Sequence, residues 1–79
     1  DAPDSQAYAD ELLPAFCERY NLTARERVIV EQVLQGKDNQ NIASSLQLAL
    51  GTVKVHVHNI LKKTGVSTRQ ELTQLFWQG

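Results

Sequence analysis

From Leu50 to Arg69 every charged side chain is basic: Lys54, Lys62, Lys63 and Arg69, with His56 and His58 between them. Lys54, Val55, His58 and Lys62 stand at i, i+1, i+4 and i+8, so on a helix they share one outward face. Their types suit one kind of chemistry. Long donors can hydrogen-bond guanine edges, and a compact valine can touch the methyl group of thymine. Thr52 and the amides that open such a helix can hold a phosphate, because N–H groups without helical partners and the positive end of the dipole both favour an anion. Lys62, Lys63 and Arg69 lie near or beyond the far end and are read as further phosphate contacts. For Lys62 and Lys63 the helix dipole offers a plainer account, since cations near a C-terminus are favourable without a ligand. Lys54, near the N-terminal end, has no such account.

Other chemistries fit poorly. His56 and His58 are two residues apart, roughly 200° around a helix, and cannot share a metal as an i, i+4 pair would. Cys17 is the only cysteine and falls on an apolar stripe, as a core residue would. No phosphate-cradling glycine loop is present. The sequence is read as a non-enzyme with no metal and no cofactor.

An outward basic face needs an inward apolar one and neighbours to present it. Val53, Val57, Ile60 and Leu61 recur at i, i+4, i+7 and i+8, which predicts a helix over about 50–63 that ends at Gly65. A shorter helix precedes it, opened by Asp38 as N-cap, with Ile42, Ala43 and Leu46 inward and Leu48 in the connecting turn. Ala43 is small where two helices must approach. Before that, Thr23-Ala-Arg-Glu26 forms a capping box, Ile29, Val30, Val33 and Leu34 face inward, and Gly36 suits a left-handed cap. Thr68-Arg-Gln-Glu71 is a second capping box, opening a last helix with Leu72, Leu75 and Phe76 inside. Trp77 lies at the edge of that stripe. It either packs there or forms, with Thr73 one turn back, a dimer contact.

Residues 1–20 differ in character. Asp1 to Gln6 is a polar lead-in expected to fray, and Tyr8, Leu12, Leu13, Phe16, Cys17 and Tyr20 then recur at helical spacing. Pro14 either kinks one helix or opens a second, and Asn21 marks a turn. This segment carries five carboxylates against Arg19, a balance of −4, whereas residues 21–79 carry seven basic side chains against four acidic ones, a balance of +3. The overall −1 hides that division. Residues 1–20 are therefore an acidic amphipathic helical segment, either packed on the rest or joining it to a preceding domain. A domain of this size buries only about 60% of its unfolded surface, so stability of a few kcal/mol is expected. No apolar run approaches the ~18 residues that span a bilayer. Methionine is absent even at position 1, and the chain is expected to be a piece of a longer protein.

The run from Leu22 to Leu72 resembles the C-terminal DNA-binding domain of LuxR-type transcription regulators, a group that includes NarL-like response regulators. The residues that carry the likeness are Leu22-Thr-x-Arg-Glu26, Gly36-Lys37, Ile42-Ala43, Leu46, Thr52-Val53-Lys54-x-His56, Asn59-Ile60, Lys63, Gly65-Val66 and Arg69-x-Glu71. The resemblance implies an all-α fold: a tetrahelical helix-turn-helix bundle over 21–79, here with an additional N-terminal helical segment. It makes the third of those four helices the recognition helix and the fourth a common dimer contact. It places base contacts on Lys54, Val55 and His58, and leaves His56 to support the helix. The implied partners are double-stranded DNA at a promoter or operator, a second copy of the parent protein, and RNA polymerase, in a bacterial cytoplasm. Two departures stand out. Ala49 replaces the usual serine N-cap, which should cost about 1 kcal/mol, and Gly51 further weakens the first turn. Region 4 of sigma factors resembles the Leu-Thr-x-Arg-Glu opening but not the Thr52-Val-Lys-x-His or Gly65-Val-x-x-Arg patterns. A helix-turn-helix serving protein interaction or dimerisation without DNA is the alternative that the weak cap and acidic segment leave open.

Overall fold

The structure, a computed structural model, describes the backbone of residues 5–78 and the side chains of residues 10–78. Five helices and no strand occur among them: α1 (Ser5–Arg19), α2 (Ala24–Leu34), α3 (Asn39–Leu46), α4 (Leu50–Thr64) and α5 (Arg69–Gln78). The expected all-α bundle with an extra leading helix is what forms. Ser5 and Gln6 belong to α1, so the lead-in is shorter than expected; Asp1–Asp4, and the side chain of Tyr8, lie outside the described residues. Pro14 sits inside α1 without ending it. Its ring removes one ladder bond, and one continuous helix tolerates that loss.

Local chemistry sets the helix starts. Thr23 accepts from the Glu26 amide at 3.1 Å while the Glu26 carboxylate accepts from the Thr23 amide at 2.8 Å, completing the capping box of α2. Asp38 caps α3 by accepting from the Asn41 amide at 2.8 Å. Thr68 and Glu71 exchange bonds of 3.1 and 3.2 Å at the start of α5.

The helix ends follow one pattern. Each of the first four closes through a left-handed residue: Asn21 (φ 57°), Gly36 (φ 82°), Gln47 (φ 56°) and Gly65 (φ 78°). The amide that follows returns to the helix, from Leu22 to the Cys17 carbonyl, Lys37 to Gln32, Leu48 to Ala43 and Val66 to Leu61. These are Schellman closures, which satisfy end carbonyls and turn the chain sharply. In three of the four the residue after the turn, Leu22, Leu48 or Val66, packs on the core. The connections are thereby fixed by backbone hydrogen bonds and apolar plugs together. The core itself takes Ile29, Val30 and Val33 from α2, Ile42 and Ala43 from α3, Val53, Val57 and Ile60 from α4, and Leu72 and Phe76 from α5. Leu13 and Cys17 of α1 are buried in the same cluster, and Phe16 sets its ring edge-on to Phe76 at 5.1 Å. At about 25 cal/mol per Å² of apolar surface, burying one such side chain is worth about 1.5–3 kcal/mol, so Leu13 alone anchors α1 firmly.

Candidate nucleic-acid interface

The turn Gln47–Ala49 joins α3 to α4, and α3 and α2 form the bed on which α4 lies. Val53, Val57, Ile60 and Thr64 of α4 are buried, and the Thr64 hydroxyl donates to the Ile60 carbonyl at 2.8 Å. With those residues facing in, helical geometry aims Gly51, Lys54, Val55, His58, Asn59 and Lys62 outward, and all are exposed. Val55 is 58% exposed, unusual for a valine at mid-helix. Among the described residues Lys54 and Lys62 have no acidic or hydrogen-bonding partner. His56 is half-buried on the flank of this face.

Thr52 is exposed in the first turn of α4. That turn differs from the starts of α2 and α3 in one respect: Ala49 has the extended N-cap backbone that Thr23 and Asp38 have, but it contributes no side-chain bond. The expected weak cap is thus present in the structure.

Two cations that the sequence grouped with phosphate contacts are engaged inside the molecule. Lys63 Nζ donates to Glu26 Oε1 at 2.7 Å and to the Asn21 carbonyl at 3.3 Å. It joins the end of α4 to the start of α2 and to the left-handed residue that ends α1. Arg69 donates through Nη1 to Asn39 Oδ1 at 3.2 Å and through Nη2 to the Lys37 carbonyl. It joins α5 to the loop between α2 and α3. These bonds fix where each side chain lies, and they use only two of the three donors of Lys63 and two of the five of Arg69. The sequence did not disclose them because their partners lie 30 to 42 residues away. Thr73 and Trp77 share a face of α5. The Thr73 hydroxyl donates to the Arg69 carbonyl at 3.2 Å, and Trp77, 40% exposed, stands edge-on to Phe76 at 5.0 Å.

Electrostatics follow from this wiring. For Glu26, burial is the largest influence and works against ionisation. The Lys63 hydrogen bond, the Thr23 amide and the Lys63 charge together outweigh it, and its pKa lies below the ordinary carboxyl value. Burial pushes the Cys17 thiol up; Arg27 opposes that, and Glu31 and Glu26 add to it. A protonated thiol in a core is inert. The second ion pair, Arg27 with Glu31 at 3.7 Å, is a partly exposed i, i+4 contact on α2.

A three-residue turn between a short helix and a longer one, with a basic outward face on the second and apolar faces locked beneath, defines a helix-turn-helix domain. Residues 20–76 match the family described as bacterial regulatory proteins, luxR family, and the chain belongs to that family. It is 48% identical over 56 residues to a monoamine regulon transcriptional regulator from Klebsiella aerogenes, covering 71% of this chain and 25% of that protein. It is 44% identical over 57 residues to the nitrate/nitrite response regulator protein NarP of Escherichia coli (strain K12), covering 72% and 26%. Over 74 residues it is 36% identical to the response regulator protein TmoT of Ectopseudomonas mendocina, covering 94% and 34%. The matched part thus spans about a quarter to a third of these relatives. No solved structure matches significantly. Among the described residues no helix is long and apolar enough to cross a membrane.

Proposed function

We propose that this chain reads duplex DNA as the output domain of a bacterial transcription regulator, with α4 lying in the major groove. The observation that carries this is the division of its cations. Lys54 and Lys62 stand exposed beside Val55 and His58 on one face, while Lys63 and Arg69 are tied to internal acceptors. Lys54, Val55 and His58 contact base edges; Thr52 and Lys62 contact phosphates. Lys63 and Arg69 hold α4 and the loop before α3 in place, so their contribution to affinity is geometric. Residues 21–79 form the DNA-binding unit, and residues 1–20 are an acidic segment whose helix α1 packs on it through Leu13 and Cys17.

In the parent protein, two copies present their α4 helices to successive major grooves of a two-fold site. Thr73 and Trp77 supply the contact between copies, RNA polymerase is a further partner, and the setting is the cytoplasm. The resemblance in family and the relatives' names as regulators support this reading, and it assigns binding rather than catalysis. Fluorescence anisotropy with duplexes selected from a random pool tests it, with salt stepped from about 50 to 200 mM. The reading requires preference for the selected duplex, steep weakening with salt and loss of preference in Lys54→Ala. Absence of binding at low salt, even for an artificially dimerised chain, would transfer the domain to protein interaction.

A further inference from the structure

Gly51 opens the outward face of α4. Lys54, Val55 and His58 follow it at i+3, i+4 and i+7, so all four lie on one stripe, with Gly51 at its leading tip. Nothing inside the molecule calls for glycine there. Its backbone is helical, its φ is not among the positive values, and a Cβ built on it would meet no atom within 4 Å. Gly36 and Gly65 differ, since both occupy left-handed turns. A helical glycine costs about 1 kcal/mol relative to alanine, and here it adds to a start that already has no side-chain cap. The fold would be more stable with alanine.

Nothing in the fold accounts for glycine at this position, which directs attention to what lies outside it. A major groove is about 12 Å wide, and a helix with its side chains is about 10–12 Å across, so insertion leaves almost no slack. Helix-turn-helix domains insert the N-terminal end of the recognition helix deepest. Val55 sharpens the point. Its short isopropyl group, 58% exposed, can meet a thymine methyl only if the helix backbone itself comes close to the base pairs. Lys54 has a long flexible stem and tolerates a wider gap.

From these observations we infer that Gly51 is a positioning residue for sequence reading: its missing side chain lets α4 seat deeply enough for Val55 to read its base pair. This rests on the DNA-binding reading above. A methyl group at position 51 would lift the leading turn and take Val55 out of reach, while leaving the phosphate contacts of Lys62 in place.

The test is Gly51→Ala, with Gly51→Ser as a second variant, studied in the whole chain by thermal unfolding and by anisotropy. The duplexes are the selected sequence, each of its single-base-pair variants, and a scrambled sequence. Expected for both variants is a melting temperature at or above wild type, higher by several degrees for alanine. The selected duplex should bind about 5- to 150-fold more weakly, the range expected for a close contact overfilled by one group. Scrambled duplex should change by less than about twofold, and discrimination should collapse chiefly at the base pair that Val55→Ala also relaxes. Unchanged or tighter binding of the selected duplex by the alanine variant overturns the inference, and so does a drop in its melting temperature, since the glycine would then serve the fold. If wild type itself prefers no duplex, the DNA-binding reading is what fails, and the two failures are distinct.

Discussion

Lys63 offers a direct way to separate holding the fold from touching DNA. The Glu26 side chain is 5% exposed and that of Lys63 36%. Lys63→Met keeps the aliphatic stem and removes the charge, leaving the Glu26 carboxylate with the Thr23 amide alone. Stranding one member of a fully buried pair costs about 3–5 kcal/mol. Water can enter on the exposed side of Lys63, which reduces the expected loss to about 1–2 kcal/mol. At about 4–8 °C per kcal/mol for a domain of this size, the melting temperature should fall by about 5–15 °C. Glu26→Gln preserves the capping reach, because glutamine also serves in a capping box, and loses only the charge. The two losses should be non-additive, with a coupling of about 1 kcal/mol in a double-mutant cycle by urea unfolding.

The pH dependence has a definite sign. The folded-state pKa of Glu26 is depressed below 4.5, so its stabilisation is present above that value and disappears as pH falls through the folded pKa. The stability difference between wild type and Glu26→Gln should accordingly shrink on acidification below about pH 4.5. DNA binding supplies the opposing readout. Measured well below the melting transition, Lys63→Met should keep the wild-type salt slope. An unchanged melting temperature together with a salt slope reduced by about one would refute the structural assignment and restore Lys63 as a phosphate contact.

Lys54→Ala should cost about 1–3 kcal/mol on the selected duplex and much less on scrambled DNA, whereas Lys62→Ala should weaken both and lower the salt slope by about one; anisotropy titrations on the two duplexes distinguish them. Gln47 holds left-handed backbone at the turn before α4, a conformation that costs a side-chain-bearing residue about 1–2 kcal/mol. Part of that gain is offset by the greater freedom of glycine in the unfolded chain, so Gln47→Gly should raise stability by about 0.5–1 kcal/mol in urea unfolding, and Gln47→Ala should not. Arg69→Lys removes the fork that spans Asn39 and the Lys37 carbonyl and should destabilise by about 1 kcal/mol or more, although the charge is kept. A urea midpoint for Arg69→Lys indistinguishable from wild type would show that the bidentate geometry is immaterial.

What was legible in the sequence was what is local. Thr23 with Glu26, Asp38 with Asn41, and Thr68 with Glu71 act within three residues, so residue type and spacing disclose the helix starts. The inward positions of α4 were legible for the same reason, since burial at 3.6-residue spacing leaves a period in the sequence. Asn21, Gly36 and Gly65 announce left-handed ends; Gln47 does not, because its side chain has no special tolerance for that backbone. The turn there is imposed by the Leu48 amide returning to Ala43 and by Leu48 packing on the core. The internal bonds of Lys63 and Arg69 were hidden for another reason. A basic residue near a recognition helix has the same composition whether its partner is a phosphate or a distant carboxylate, and only the fold brings Glu26 and the Lys37 carbonyl within reach.

That ambiguity has a physical resolution in how α4 is held. Its outward face must stay unoccupied to meet a partner, so orientation has to come from its buried face and its two ends. At the leading end Gln47, Leu48 and the uncapped Ala49 bend the chain without placing a side chain over the first turn. At the trailing end Lys63 reaches back to Glu26 and Asn21. A cation there satisfies the helix dipole and a capping carboxylate at once, which two separate residues would otherwise do. Such an arrangement trades stability at the leading turn for access and recovers it at the far end of the same helix. It also makes Asn21 a shared point: the residue that ends α1 accepts from the lysine that ends α4. Displacing Asn21 would remove that one bond, while the Glu26 pair and the buried face of α4 still hold the helix, so the trailing anchor does not rest on α1 alone.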